Sequence, residues 1–228
     1  MTPISWKLSP SDLTFLWDEC PRCFYLKVVH KFGRPYSPFP SVFGRIDLLM
    51  KDYYENKSTQ EMDASMPPGK VLLGEKWVES APISVQGHED TVYIRGKFDS
   101  VVEFEDSSFG VIDFKTSQPK PHLVEFYGRQ LHAYAHALEH PAPGKLQIAP
   151  ISLLGLLIVT PALMTDGPDG RVNFEHTLTW MPVVYKPEIF FEFLDKVLTV
   201  LEKPEPPEAA EKCSWCKYRE KVRANPRF

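Results

Sequence analysis

Two pairs of cysteines, each with the spacing CxxC, lie near opposite ends of this 228-residue chain. The first pair is Cys20 and Cys23, and the second is Cys213 and Cys216. Paired CxxC units in a chain without an export signal favour metal ligation or redox chemistry over structural disulfides. One metal centre held by all four thiolates would close a very long loop and fasten the N-terminal part of the chain to its C-terminal tail.

The composition predicts one globular domain with a full hydrophobic core, since 43% of the residues are hydrophobic and 25% are charged. The longest apolar run, 151–164, is interrupted by Pro161 and falls short of the roughly 20 residues that a membrane-spanning helix needs. The first ten residues lack the charged and apolar regions of a secretory signal. We therefore expect a cytoplasmic protein that does not enter a membrane.

The net charge of −4 excludes a global attraction to nucleic acid, so any such binding must come from local basic patches. Two patches flank the cysteine pairs, at 22–34 and at 212–228. The alternative for each patch is an ordinary solvated surface.

Apolar periodicity predicts alternating helices and strands along the rest of the chain. One predicted helix starts at Ser9, and three more cover 42–55, 122–138 and 187–202. The predicted extended segments cover 71–85, 91–104, 109–115, 151–160 and 172–180. We expect the first three extended segments to form an antiparallel meander. The domain 1–228 would then have a core at about 42–202 and a metal-binding subregion made of 9–34 and 203–228, in which the proline-rich stretch after Lys203 acts as a tether.

Asp113 and Lys115 are two residues apart on a predicted strand, so both side chains point to one face of the sheet. A short turn after the preceding strand can bring Asp99 beside Asp113. Two bare carboxylates about 4 Å apart repel by roughly 4 kcal/mol at an effective dielectric near 20, so such a pair needs a shared proton or a bound cation. Oxygen ligands select Mg²⁺ or Mn²⁺, and Lys115 could stabilise charge on a phosphate. The alternative is a solvent-facing strand with alternating charges.

The order of motifs from Gly96 to Tyr134 resembles the RecB-like branch of the PD-(D/E)XK nuclease superfamily. The resemblance is carried by a glycine before the first acid, by Asp-Phe-Lys-Thr at 113–116, and by the helix motif Tyr-x-x-Gln-x-x-x-Tyr at 127–134. It implies an α/β (α+β) restriction-endonuclease-like fold, in which helices flank a central mixed sheet and the two ends of the chain meet at a four-cysteine metal site.

The resemblance also implies roles for individual residues. The implied catalytic residues are Asp99, Asp113, Lys115, Gln130 and Tyr134, and the implied ligands of the divalent cation are Asp47, Asp99, Asp113 and Phe114. Asp47 is a departure, because related nucleases often have a histidine there, and the change would alter metal preference more than abolish the chemistry.

The cysteines resemble those of iron–sulfur RecB-like exonucleases, which include CRISPR-associated enzymes and AddB. That resemblance implies a [4Fe–4S] cluster. Those families usually take one cysteine from the first region and three from the last, whereas this chain takes two from each. We expect the cluster on the strength of the resemblance, and Zn²⁺ is the alternative that paired CxxC units by themselves favour.

The leading functional prediction is a metal-dependent DNA nuclease that acts on single strands or on DNA ends. Aromatic residues near the cysteines could stack on bases; the candidates are Trp17, Tyr25, Trp215 and Tyr218. One alternative is a non-catalytic nucleic-acid-binding module with protein partners in a CRISPR-adaptation or DNA-repair complex. Another is a redox or metal sensor that uses only the sulfur site.

Overall fold

The strands form two β-sheets in this computed structural model, which describes residues 3–35, 38 and 40–225. The larger sheet has the strand order β2-β6-β7-β8-β9. Its strands are β2 (Gly69–Leu73), β6 (Ser100–Phe104), β7 (Phe109–Thr116), β8 (Ile151–Asp166) and β9 (Val172–Val183). Only the pairing of β7 with β8 is parallel, and the other neighbours in this sheet are antiparallel. The sheet is therefore mixed, as predicted.

The smaller sheet is built around β5 (Thr91–Phe98). Its other strands are β1 (Ser5–Leu8), β3 (Lys76–Glu79) and β4 (Ile83–Ser84). Strand β1 pairs with β5 in parallel, whereas β3 and β4 pair with it antiparallel.

The predicted meander of three long segments is wrong in one respect, because two of the segments are divided between the sheets. The segment 91–104 breaks at Asp99 into β5 and β6, and the segment 71–85 breaks into β2, β3 and β4. The burial pattern gives the reason. Burial alternates along β5, which has one exposed face, whereas successive residues of β6 are buried because β6 is covered on both faces.

The helices lie around these sheets. They are α1 (Trp17–Glu19), α2 (Pro21–Val28), α3 (Ser41–Tyr54), α4 (His122–Glu139), α5 (Pro187–Leu201) and α6 (Ser214–Ala224), with a π-helical turn at Asp12–Leu16 and 3-10 turns at Thr59–Glu61 and Pro168–Gly170. Helix α4 connects β7 to β8, because parallel neighbours need a crossover connection. No helix in the described part of the chain has the length and apolar character required to cross a bilayer.

Two hydrophobic clusters cover opposite faces of β7. The larger contains Val111 with buried residues of α4, α5 and β5, and the smaller contains Ile112 and Phe114 with buried residues of α3. Alternation along β7 therefore aims the odd-numbered side chains at α4 and the even-numbered ones at α3. This arrangement decides which way Asp113 points.

Gly96 is the glycine that precedes Asp99, and its lack of a side chain is required by close packing. A Cβ at this position would lie 2.6 Å from Cδ of Pro10 and 3.1 Å from Cε1 of Tyr134. We expect Gly96→Ala to destabilise the fold by about 1–3 kcal/mol, since inserting a methyl group into a packed site forces its neighbours to move.

Thermal denaturation tests this expectation, and Gly74→Ala is the matched control. A Cβ at Gly74 meets no atom within 4 Å. The control should melt like the unmodified chain, whereas Gly96→Ala should melt several degrees lower. Equal melting temperatures for the two variants would contradict the packing argument.

Candidate active site and four-cysteine site

The break between β5 and β6 places Asp99 beside β7. The register of these strands pairs Ser100 with Ile112, so Asp99 lies next to Asp113. One carboxylate oxygen of Asp99, Oδ2, accepts a hydrogen bond of 3.0 Å from the backbone N–H of Phe114. The structure therefore brings Asp99 to Asp113 and Lys115, as the sequence predicts.

Asp113 is buried, with 2% of its surface exposed. Its Oδ1 accepts a hydrogen bond of 3.1 Å from the Gln130 side-chain amide, and its Oδ2 forms a salt bridge with the Lys115 ammonium. Burial raises the pKa of Asp113 to about 7; the nearby Asp99 carboxylate adds to the rise, and Lys115 opposes it. A carboxylate in this environment favours a proton or a cation as its partner.

The Lys115 ammonium lies between Asp113 and the ring of Tyr127. Its Nζ is 4.7 Å from the centroid of that ring. Burial alone would lower the pKa of Lys115, but the charges of Asp113 and Asp99 outweigh burial and raise it. Lys115 therefore stays protonated and carries a positive charge at the bottom of the site.

Helix α4 contributes Tyr127, Gln130 and Tyr134 from one face, because residues three and four apart are neighbours on a helix. Tyr127 contacts Lys115 and Gln130 holds Asp113. The Tyr134 hydroxyl donates a hydrogen bond of 2.7 Å to the carbonyl oxygen of Lys97 on β5. The predicted helix motif thus lines the candidate site.

A second group of carboxylates surrounds the ammonium of Lys51. The Nζ of Lys51 lies 2.7 Å from Asp47, 2.6 Å from Glu75 and 2.7 Å from Asp99. Each of these three acids offers an oxygen, and the oxygens lie within 4.8 Å of one another. Asp47, Glu75 and Asp99 form the acidic group, which contains oxygen donors of the kind that Mg²⁺ and Mn²⁺ prefer.

Sequence reasoning missed two members of this arrangement, Glu75 and Lys51. Glu75 lies in the connection between β2 and β3, outside every motif in the sequence. Lys51 follows Asp47 by one helical turn of α3, a spacing that predicts a surface ion pair, yet only 8% of the Lys51 side chain is exposed.

The predicted ligands of the divalent cation are divided between two lysines. Asp47 and Asp99 contact Lys51, whereas Asp113 contacts Lys115. The Phe114 side chain is buried in the smaller hydrophobic cluster and stacks on Tyr54 with a centroid distance of 6.1 Å. Only the main-chain oxygen of Phe114 could serve as a ligand.

The four cysteines come together from both ends of the chain. Cys20 caps the N-terminus of α2 and Cys213 caps that of α6, so each CxxC pair turns its sulfurs inward from the start of a helix. The Sγ–Sγ distances are 3.8 Å for Cys20–Cys216, 3.7 Å for Cys23–Cys213 and 3.6 Å for Cys23–Cys216. All four thiols are buried and offer sulfurs within 4.8 Å of one another.

Two arginines point at these sulfurs. Nη2 of Arg34 lies 3.5 Å from Sγ of Cys213, and Nη1 of Arg219 lies 3.8 Å from Sγ of Cys23. Burial would raise the pKa of Cys213, but hydrogen bonds from the Cys216 backbone and the neighbouring thiols lower it to about 7. Burial raises the pKa of Cys23 and of Cys216, however, so a metal would have to displace the protons from these two thiols. Arg34 and Arg219 belong to the two predicted basic patches, whose last basic residue, Arg227, lies outside the described residues.

The predicted base-stacking aromatics are mostly unavailable. Trp17 packs edge-on against Phe24 and Phe193 in the core, and Tyr25 is 2% exposed with its hydroxyl bonded to the carbonyl of Lys203. Trp215 is half-buried against the same core, and Tyr218 is exposed. The sequence prediction was wrong for Trp17 and Tyr25, because Trp17 packs against the rings of Phe24 and Phe193 and Tyr25 is buried with its hydroxyl on a main-chain carbonyl.

The fold and the convergence of two acids and a lysine define the nuclease class, and comparison with known proteins identifies the family. The family pattern of the PD-(D/E)XK nuclease superfamily matches residues 70–221. The chain therefore belongs to this superfamily, which also supports the RecB-like resemblance. The match includes Asp99, Asp113 and Lys115, whereas Asp47 and the first CxxC pair precede it.

The fold is also similar to that of solved structures. The crystal structure of SSO0001 matches with a TM-score of 0.51 and 15% sequence identity, over 97% of this chain and 86% of the other. At this identity the similarity concerns the fold alone. No curated protein gives a significant match.

Proposed function

We propose that this chain is a metal-dependent deoxyribonuclease that hydrolyses phosphodiester bonds of single-stranded DNA or of DNA ends. One observation carries the proposal, namely the meeting of Asp99, Asp113 and Lys115 at the break between β5 and β6. Membership of a nuclease superfamily supports the reaction class. The related exonucleases that the sequence resembles support the choice of substrate.

The candidate ligands suit a hard divalent cation, Mg²⁺ or Mn²⁺. Carboxylate oxygens of Asp99 and Asp113 and the main-chain oxygen of Phe114 would hold it, and Asp47 and Glu75 supply further oxygens beside Asp99. When bound, such a cation lowers the pKa of a water molecule and neutralises charge on the phosphate.

The protein's own residues supply positioning and charge. Lys115 is protonated and sits against Asp113, where its ammonium can stabilise charge that builds up on the attacked phosphate. Gln130 holds one oxygen of Asp113, which fixes the direction of the carboxylate. Tyr127 covers the Lys115 ammonium from the side of α4 and limits its movement.

Lys51 occupies the centre of the acidic group, so we propose that a divalent cation has to displace its ammonium. We expect Lys51→Met to bind Mn²⁺ about ten-fold more tightly, or by about 1.4 kcal/mol, because the variant removes a competing positive charge. Electron paramagnetic resonance of free Mn²⁺ measures this affinity directly, without DNA.

Lys57→Met is the matched control for the Lys51 experiment. Lys57 lies just beyond the end of α3 and pairs with Glu61 outside the acidic group. This control should bind Mn²⁺ like the unmodified chain. Unchanged or weaker Mn²⁺ binding by Lys51→Met would show that the ammonium supports the ligands instead of competing for them.

We also propose that the four cysteines hold one structural metal ion, and that this ion is Zn²⁺. Thiolates bound at about 2.3 Å in a tetrahedron lie about 3.8 Å apart. The three Sγ–Sγ distances of 3.6, 3.7 and 3.8 Å agree with this spacing.

The [4Fe–4S] cluster that the resemblance implies would need a wider spacing of the sulfurs, which supports the choice of Zn²⁺. Each thiolate of such a cluster binds a different iron, so the width of the cluster separates the sulfurs to roughly 6 Å. The four sulfurs of this chain lie within 4.8 Å of one another. The donor set fits one ion, and a cytoplasmic location, also proposed here, would keep the thiols reduced for it.

A further inference from the structure

A cleft of about 470 Å³ opens beside the candidate active site. It borders that site through two residues. Tyr134, on the face of α4 that carries Gln130, lines the cleft, and so does Lys97, whose ammonium forms a salt bridge with Glu75 of the acidic group. A molecule in the cleft would therefore lie next to the carboxylates.

Trp77 on β3 forms one wall of this cleft. It is 65% exposed, although tryptophan is a residue that folded proteins usually keep covered. Its strand partner is Lys97, and the guanidinium of Arg95 lies 5.7 Å from the centre of the indole ring. The result is a flat aromatic surface with a cation over it, open to solvent.

The three charged residues of the lining, Lys7, Arg95 and Lys97, are all basic. Lys7, Ser9 and Ser11 come from the N-terminal segment, and the hydroxyls of the two serines lie 2.8 Å apart. Arg95 and Lys97 face them from β5. Two of these cations have acidic partners. Glu79 lies 3.4 Å from Arg95, and Glu75 forms a salt bridge with Lys97. Lys7 has no salt-bridge partner among the described residues, so the cleft keeps a positive charge available for a ligand.

We infer that this cleft binds the nucleotides of a single-stranded nucleic acid next to the cleavage site, with a base stacked on Trp77 and the backbone phosphates near Lys7 and Arg95. Aromatic rings combined with basic grooves are how proteins hold single strands, because every unpaired base has a face that can stack. A base in a duplex is already stacked on its neighbours and cannot use the ring. The inference rests on the proposed nuclease function, and it assigns the substrate as single-stranded.

Fluorescence anisotropy with a labelled single-stranded DNA oligonucleotide, without added divalent cation, tests the inference. Trp77→Ala should weaken binding about ten-fold, and Trp77→Phe should retain most of the affinity because a ring remains. Arg95→Gln should lower the slope of log K against log salt concentration by about 1, since one phosphate contact is lost. Phe174→Ala is the control, because Phe174 is also an exposed ring, at 54%, but lies on β9, outside the cleft lining.

The outcomes separate this inference from the proposed function. If Trp77→Ala binds the oligonucleotide like the unmodified chain, or if Phe174→Ala weakens binding as much, the inference that a base stacks on Trp77 is wrong even if the protein cuts DNA. If binding depends on Trp77 but no cleavage occurs with Mn²⁺, the inference that a base stacks on Trp77 is supported and the nuclease proposal fails. Stronger binding of duplex DNA that is insensitive to Trp77 would also overturn the inference.

Discussion

Replacing Asp113 with asparagine or Lys115 with methionine should lower cleavage of single-stranded DNA in the presence of Mn²⁺ by about 1,000-fold or more. The first change removes a carboxylate that we propose as a metal ligand, and the second removes the ammonium beside it. Both replacements keep the approximate shape of the side chain. The measurement is the initial rate of cleavage of a labelled oligonucleotide.

Glu103→Gln and Lys70→Ala are the matched controls, because they remove an acid and a lysine from neighbouring strands of the same sheet. Lys70 and Glu103 are 64% and 36% exposed at the side chain and form a loose pair 3.9 Å apart. Such exposed pairs contribute little to stability, so both controls should cut like the unmodified chain. Folding of all four variants is checked by thermal denaturation.

The same experiment decides between the nuclease and the non-catalytic nucleic-acid-binding module. Equal cleavage by Asp113→Asn, Lys115→Met and the controls would show that the activity comes from elsewhere, and the proposed mechanism would be wrong. Absence of cleavage by the unmodified chain, combined with DNA binding, would favour the alternative of a non-catalytic module in a CRISPR-adaptation or DNA-repair complex.

Elemental analysis of the purified protein should find one zinc ion per chain and no stoichiometric iron or sulfide. The protein should be colourless, and reconstitution with Co²⁺ should give the visible absorption of a tetrahedral thiolate complex. A brown protein with about four iron and four sulfide per chain would show that the thiols separate to admit a [4Fe–4S] cluster. That result would overturn the zinc proposal and favour the iron–sulfur resemblance.

Cys216→Ser should release the metal and loosen both ends of the chain. Structural zinc contributes apparent binding free energies of about 10–16 kcal/mol in small zinc-binding peptides, and here that energy would join α2 to α6. We expect faster amide hydrogen exchange at 21–28 and 214–224, with β7 protected as before. Ser214→Ala changes an exposed residue of the same segment and is the control, and unchanged exchange in Cys216→Ser would mean that packing alone joins the two ends.

Much of the site could be predicted from the sequence because it depends on local periodicity. Residues two apart on a strand share a face, so Asp113 and Lys115 had to point the same way. Residues three and four apart share a helical face, so Tyr127, Gln130 and Tyr134 had to line up along α4. The superfamily was predicted correctly for the same reason, since its motifs are spacings within single elements.

Other features depend on contacts between distant parts of the chain. Glu75 and Lys51 join the site only because α3 packs over the sheet next to the connection between β2 and β3, and no local spacing signals this. The division of 91–104 between two sheets depends on which faces other layers cover. Likewise, the exposure of Trp77 and the burial of Tyr25 follow from packing, and no local spacing signals either of them.

The sequence by itself determined which side chains leave each strand and helix in the same direction, because backbone geometry repeats every two residues in a strand and every 3.6 in a helix. It also determined that four thiols were available to one site. Only the tertiary structure decided that two lysines share the carboxylates, that the sulfurs stand 3.6–3.8 Å apart and that a basic cleft adjoins the acids. These features are distances between elements, and such distances are set by how the layers pack around a common core.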